Sequence, residues 1–157
     1  MNQEEKNRII FLDIDGVLNS KDKLIEVYKK THKSHSGYNY PFDERCLHNL
    51  KHLVEETDSY IVITSTWRRD EEGRNKIIKV LKEYDLDYRV IGYTPILNTT
   101  RGEEIKAYLK SLSKPVDYII IDDDSDMDDL IDHLHLTNNQ TGLTKEDTEK
   151  IIKKNKK

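Results

Sequence analysis

Three short segments of the chain are dense in β-branched and aliphatic residues: Arg8 to Asp13, Ser59 to Thr64 (SYIVIT) and Asp117 to Asp122 (DYIIID). None has helical spacing, and each runs into polar or turn-forming residues, which predicts strands. Continuous apolar runs, as opposed to alternation, suit strands covered on both faces, as in a parallel sheet. Tyr88 to Ile91 and Asp132 to Leu136 are weaker strand candidates. Between the strands the apolar spacing becomes that of amphipathic helices. Leu47, Leu50, Leu53 and Val54 form a stripe within Asp43 to Glu56; Ile77, Ile78 and Leu81 form a second; Ile105, Tyr108, Leu109 and Leu112 form a third. Thr100-x-x-Glu103 opens the third with a capping-box pattern. Thr144-x-x-Asp147 opens a last helix in the same way, with Ile151 and Ile152 on its buried side. Strands alternating with helices predict an α/β fold, a doubly wound parallel sheet with helices on both faces.

One stretch breaks the alternation. Lys21 to Pro41 offers a single helix, Leu24 to Lys30, and then a polar loop rich in His and Tyr (THKSHSGYNYP). It reads as a minimal lid inserted after the first strand, over the sheet's carboxyl edge.

A length of 157 residues fits one domain, 1–157, with a core sufficient to fold without staples. The longest apolar runs are far short of the ~20 residues of a membrane span. The start, MNQEEKNR, has the character of neither a secretory signal nor a transit peptide. Cys46 is the one cysteine, so no internal disulfide or Cys-rich zinc site is possible. These features predict a cytoplasmic protein that does not enter membranes. The net charge of −4 conceals a segregation: eight Asp and no Lys or Arg from Asp117 to Asp132, but seven Lys/Arg against four Asp/Glu from Ser20 to His52. Five further Lys lie in 150–157, which reads as a frayed, Lys-rich tail. An acidic segment beside basic arms is compatible with a metal site facing a polyanion.

The chemistry gathers where ligands bind in open α/β sheets, outside the carboxyl ends of the strands. The first strand ends in Asp13-Ile-Asp15-Gly16, the second in Thr64-Ser65-Thr66-Trp67-Arg68, and the third in Asp122, Asp123, Asp124 and Asp126. Converging carboxylates repel one another unless a hard cation joins them, and Mg²⁺ takes oxygen ligands of this kind. Asp13 and Asp122 are the candidate carboxylate ligands. The bland alternative, Asp126-x-x-Asp129 as a helix cap, accounts for Asp126 but not for Asp13, Asp15 and Asp122. Thr64 and Ser65 can donate to an oxyanion, and Arg101 lies in the first turn of a helix, where an anion is already favoured.

FLDIDGVLN resembles the first signature of the haloacid dehalogenase (HAD) superfamily of phosphohydrolases, and IVITSTWR resembles its second. Arg101 stands at the place of the third motif's Lys or Arg, and YIIIDDDSD resembles the fourth, acidic motif. The finer pattern, with STWR, RGEEI and a late GLT turn, is similar to the HAD domains of the Swiss Army knife RNA repair group. The resemblance implies a Rossmann-like sheet and a Mg²⁺-dependent phosphatase acting on a nucleotide or nucleic-acid end. It makes Asp13 the nucleophile that forms an aspartyl-phosphate, and Asp15 the acid and then base, its carbonyl also on Mg²⁺. Thr64 and Arg101 would hold the phosphoryl oxygens, with Ser65 and Arg68 beside them. Asp122 would bind Mg²⁺, with Asp123 or Asp126 in support, since DDDSD leaves the register open.

Other residues read more plainly. His48 and His52 are a solvated pair on one helix face, Trp67 is packing, and Arg68 belongs to the site rim. Tyr28, Tyr38 and Tyr40 interleave with Lys29, Lys30 and Lys33, as on nucleic-acid surfaces or in a short flexible lid. Two competing readings are a non-catalytic nucleotide- or protein-binding module on the same fold, and a receiver-type signalling domain. The second is disfavoured because SYIVITST carries no Asp for phosphorylation.

Overall fold

The computed structural model describes residues 8–155, built around a five-stranded, all-parallel sheet. Its strands are β1 (Arg8–Leu12), β2 (Tyr60–Ile63), β3 (Val90–Tyr93), β4 (Asp117–Asp122) and β5 (Leu134–Leu136), in the spatial order β3-β2-β1-β4-β5. The three strongest apolar runs occupy the three central positions, where both faces are covered. The two weaker ones are the edges, and both are displaced from their sequence-based limits. A 3₁₀ turn at Asp87–Arg89 delays β3, and a 3₁₀ segment at Asp128–His133 takes the first two residues of the stretch expected to be β5. Receiver domains follow the flavodoxin-like order 2-1-3-4-5, so this topology sets the receiver reading aside.

Five helices flank the sheet: α1 (Lys21–Thr31), α2 (Glu44–Thr57), α3 (Glu71–Lys82), α4 (Arg101–Ser111) and α5 (Lys145–Asn155). Successive strand residues point to opposite faces. Ile10 and Leu12 therefore join Ile61, Ile63 and Ile121 in a core with Leu50, Leu53, Ile77 and Ile151 from α2, α3 and α5. Ile9 and Phe11 join Val62 and Ile120 against Ile105 of α4, Met127 and Leu130.

The Lys-rich end is helical to Asn155, not frayed from Lys150 onward. Thr144 and Asp147 cap α5 reciprocally, Thr144 N–H to Asp147 Oδ2 at 2.9 Å and Asp147 N–H to Thr144 Oγ1 at 3.0 Å. Ile151 is buried in the core, and Lys150, Lys153 and Lys154 take the solvent side. The polar start, 1–7, and Lys156 and Lys157 lie outside the described residues.

The insertion, 21–41, is tied at its neck. Ser20 caps α1 by accepting from Lys23 N–H at 3.0 Å, so the helix begins three residues before its apolar content suggests. The same hydroxyl donates to Asp43 Oδ2 at 2.9 Å, and Asp43 caps α2 by accepting from Arg45 N–H at 3.0 Å. The chain thus leaves and re-enters the sheet domain at one hydrogen-bonded point. Tyr28 and the three lysines are exposed, whereas Tyr38 and Tyr40 turn partly inward.

Candidate active site

Sheet register assembles the site. Leu12 pairs with Ile63 on one side and Ile121 on the other, so the next residues, Asp13, Thr64 and Asp122, fall in one row. Asp13 N–H donates to the Ile121 carbonyl at 3.1 Å and Thr64 N–H to the Leu12 carbonyl at 3.0 Å, which carries the ladder into that row. The chain doubles back around β1, so the row lies at the topological switch point, where such sheets bind ligands.

Asp13, Asp122 and Asp123 each offer a carboxylate oxygen within 4.8 Å of the others. Asp13 and Asp122 are buried, and Arg101 Nη1 bridges them at 3.1 and 2.7 Å. Burial, and then the charge on Asp122, push the Asp13 carboxyl well above the usual carboxylate range despite Arg101. The same two causes raise Asp123. Burial disfavours the charge on Arg101, but Asp13 and Asp122 outweigh it and hold the guanidinium firmly protonated. One guanidinium does not neutralise three crowded carboxylates, and an all-oxygen donor set of this kind fits a hard divalent cation such as Mg²⁺. Gly16, at φ +79°, makes room for the Asp123 carboxylate: a Cβ there would stand 2.3 Å from Asp123 Oδ2.

The acidic run after β4 divides into two jobs. Asp122 Oδ1 accepts from Asp124 N–H at 2.9 Å, and Asp124 Oδ1 accepts from Asp126 N–H at 3.1 Å, which coils the loop. Asp126 faces the start of α4, its carbonyl accepting from Gly102 N–H at 3.1 Å. It caps no helix of its own: the 3₁₀ segment from Asp128 has Met127 at its cap and no side-chain bond there. Asp123, not Asp126, is the third carboxylate of the cluster.

Thr64 Oγ1 is buried without a hydrogen-bond partner, so it is available to a ligand oxygen. Ser65 Oγ accepts from Trp67 N–H at 3.2 Å and caps the 3₁₀ turn Thr66–Arg69. Arg68 does not stand at the rim. It is buried, Nε donating to the Thr94 carbonyl (2.8 Å), Nη1 to Thr64 and Ser65 carbonyls (2.9 and 3.1 Å) and Nη2 to Pro95 (3.0 Å). Nη2 also pairs with Glu104 at 2.9 Å. With its donors engaged, Arg68 shapes the site's frame and does not serve as a phosphate ligand.

Asp15 is exposed, yet two side chains hold it: Asn19 Nδ2 at 2.8 Å and Trp67 Nε1 at 3.2 Å from each oxygen. Asn19 sits within FLDIDGVLN and Trp67 directly follows Thr66, so adjacency to the motifs was the available signal for both. Thr66 also lines the cleft over the acids, with Asp13, Asp15, Arg101, Asp123, Asp124 and Asp126. That cleft has a volume of about 240 Å³, and no residue of 21–41 lines it. The insertion meets the site through Tyr38, whose ring packs edge-on against Trp67. His48 and His52 are both exposed, as a solvated pair would be.

The model of a family described as the HAD domain in Swiss Army Knife RNA repair proteins matches residues 9–148. The chain belongs to that family, and its kind of function is that of HAD-type phosphohydrolases. No curated protein and no solved structure gives a significant match. Among the described residues no helix is long and apolar enough to cross a membrane.

Proposed function

We propose that this single domain is a Mg²⁺-dependent phosphatase that hydrolyses a phosphomonoester on a nucleotide or nucleic-acid end through an aspartyl-phosphate. The observation that carries the reading is the meeting of Asp13, Asp122, Asp123 and Arg101 at the carboxyl ends of β1 and β4. Asp13, at the floor of the cleft, is the nucleophile; covalent catalysis divides one difficult displacement into two easier ones. Asp122, Asp123, Asp13 and the Asp15 carbonyl would hold Mg²⁺, which supplies charge neutralisation at the phosphoryl oxygens. Thr64 Oγ1, lacking a partner inside the fold, and the Arg101 guanidinium hold two of those oxygens. Asp15, at the exposed mouth, protonates the departing oxygen and later takes a proton from the attacking water.

Three further observations support the substrate class. The family's description is of RNA repair proteins. No residue of the insertion lines the cleft that holds Asp13, which suits a phosphate carried on a polymer end. Exposed Lys29, Lys30 and Lys33 offer charge to the flanking backbone. A phosphate-release screen with Mg²⁺ over 5′- and 3′-phosphorylated oligonucleotides, mononucleotides and sugar phosphates tests the reading. Release from the oligonucleotides is expected; release from none of these esters would overturn it.

A further inference from the structure

We propose that Trp67 is the positioning residue for Asp15, with Tyr38 of the insertion packed against its indole. The proposal rests on the phosphatase reading and deepens it. An exposed carboxylate on a turn ordinarily rotates freely, but the two oxygens of Asp15 are not equivalent. Oδ1 accepts from Asn19 Nδ2 at 2.8 Å and from Trp67 Nε1 at 3.2 Å. Oδ2 has only the shared indole N–H, also at 3.2 Å. Asn19 is itself buried and fixed, since its Oδ1 accepts from Gly16 N–H at 2.9 Å. The carboxyl plane is therefore held from two sides, with Oδ2 left as the oxygen that carries the transferable proton.

The indole in turn is held by the insertion and its exit. Trp67 is 4% exposed, with Tyr38 edge-on at 5.2 Å and Phe42 edge-on at 5.4 Å between ring centroids. Tyr38 Oη donates to Asp70, just beyond the 3₁₀ turn that carries Trp67. The path from insertion to site thus runs Tyr38, Trp67, Asp15, through direct contacts at each step.

In the first step an Asp13 oxygen bonds to phosphorus, the bond from phosphorus to the leaving oxygen breaks, and the Asp15 Oδ2 proton passes to that oxygen. The products are an alcohol and the aspartyl-phosphate. In the second, water bonds to phosphorus and gives its proton to Asp15, the acyl-phosphate bond breaks, and inorganic phosphate and the Asp13 carboxylate are released. Only the first step depends on the basicity of the leaving group. In that first step a misplaced Asp15 therefore slows esters of alcohols, whose alkoxides need the proton, far more than esters of acidic phenols, which leave without it; the second step is common to both.

Trp67 is the chain's one tryptophan, so biosynthetic replacement by 3-benzothienylalanine swaps the indole N–H for sulfur at this position alone. p-Nitrobenzyl phosphate and p-nitrophenyl phosphate are the paired probes, alike in size but different in leaving-group basicity. The expected result, read in kcat/KM because that ratio ends at departure of the leaving group and leaves out the shared second step, is a drop on the benzyl ester of about tenfold or more, within the range general acids contribute. The phenyl ester should change by less than about twofold, in step with that mechanism. Trp67→Phe, checked by thermal melting, should show the same split, and Asp15→Asn a larger one. Equal losses on both esters, or no loss on either, would overturn the positioning role while leaving the phosphatase reading intact. A wild-type protein that hydrolyses neither ester nor phosphorylated oligonucleotides would overturn both.

Discussion

Arg68 and Glu104 form an ion pair at 2.9 Å with both side chains buried. The pair connects the loops that follow β2 and β3 with helix α4. Arg68 holds carbonyls of Thr64 and Ser65 after β2 and of Thr94 and Pro95 after β3. Glu104 Oε2 accepts from Leu97 N–H at 2.9 Å, and its helix, α4, begins with Arg101. Thr64, in the same row as Asp13, and Arg101, which bridges Asp13 and Asp122, are thereby tied to one buried contact.

Removing Glu104 leaves the Arg68 charge buried and uncompensated. Burial already pulls Arg68 below its ordinary range, against the pull of Glu104. Glu104→Ala is expected to cost about 3–5 kcal/mol of stability, as broken buried pairs do. Urea denaturation measures it; a loss below ~1 kcal/mol, the size of an exposed pair, would contradict the buried geometry.

Asp43 makes stability depend on pH. Burial raises its pKa, but bonds from Arg45 and Ser20 outweigh that and hold the carboxyl below its usual range. A depressed carboxylate contributes stability that is complete above the unfolded value, about 3.9, and disappears as pH falls through the folded value. Asp43→Ala should lose about 1–2 kcal/mol near pH 7 through the missing cap. The gap to wild type should narrow steadily below about pH 4. A gap independent of pH would show that Arg45 and Ser20 do not stabilise the ionised form.

Much of this arrangement was legible in the residues. Three apolar runs that stay apolar on both faces had to be central strands, and their polar ends then had to share an edge, which brings Asp13, Thr64 and Asp122 together. Arg101 could be placed only by its motif position, because a helix-start arginine is ordinarily solvated; the bridge to Asp13 and Asp122 depends on the register of β1 with β4. In the sequence Arg68 reads as a rim residue, because a strand-end arginine looks the same whether it turns outward or inward. Its inward turn is set by Thr94, Pro95 and Glu104, which are remote in sequence. From the sequence Trp67 reads as packing; its indole bond to Asp15 joins two motifs far apart in the chain, which spacing alone does not reveal. The Lys-rich end looked frayed by composition, but Ile151 pins it to the core.

Metal binding should stabilise the fold by linkage, because the three carboxylates repel one another until a cation joins them. Millimolar Mg²⁺ is expected to raise the melting temperature of wild type, and Asp122→Ala should abolish the increase. An unchanged wild-type melting curve would contradict the cluster as a cation site.

The lysines of the insertion should matter for polymers alone. Replacing Lys29, Lys30 and Lys33 together by Ala should reduce kcat/KM for phosphorylated oligonucleotides and spare p-nitrophenyl phosphate. Three lost phosphate contacts should flatten the log–log salt dependence by about two, on the single-strand scale. Mononucleotides or sugar phosphates that outperform oligonucleotides at every ionic strength would contradict a nucleic-acid end as substrate.

The most direct test is phosphate release by Asp13→Asn in the presence of Mg²⁺. The change removes the attacking carboxylate from the floor of the cleft with almost no change in side-chain volume. Turnover of a phosphorylated oligonucleotide should fall to the uncatalysed background while the melting curve remains cooperative. Substantial residual turnover in that folded variant would contradict Asp13 as the nucleophile and, with it, the aspartyl-phosphate route.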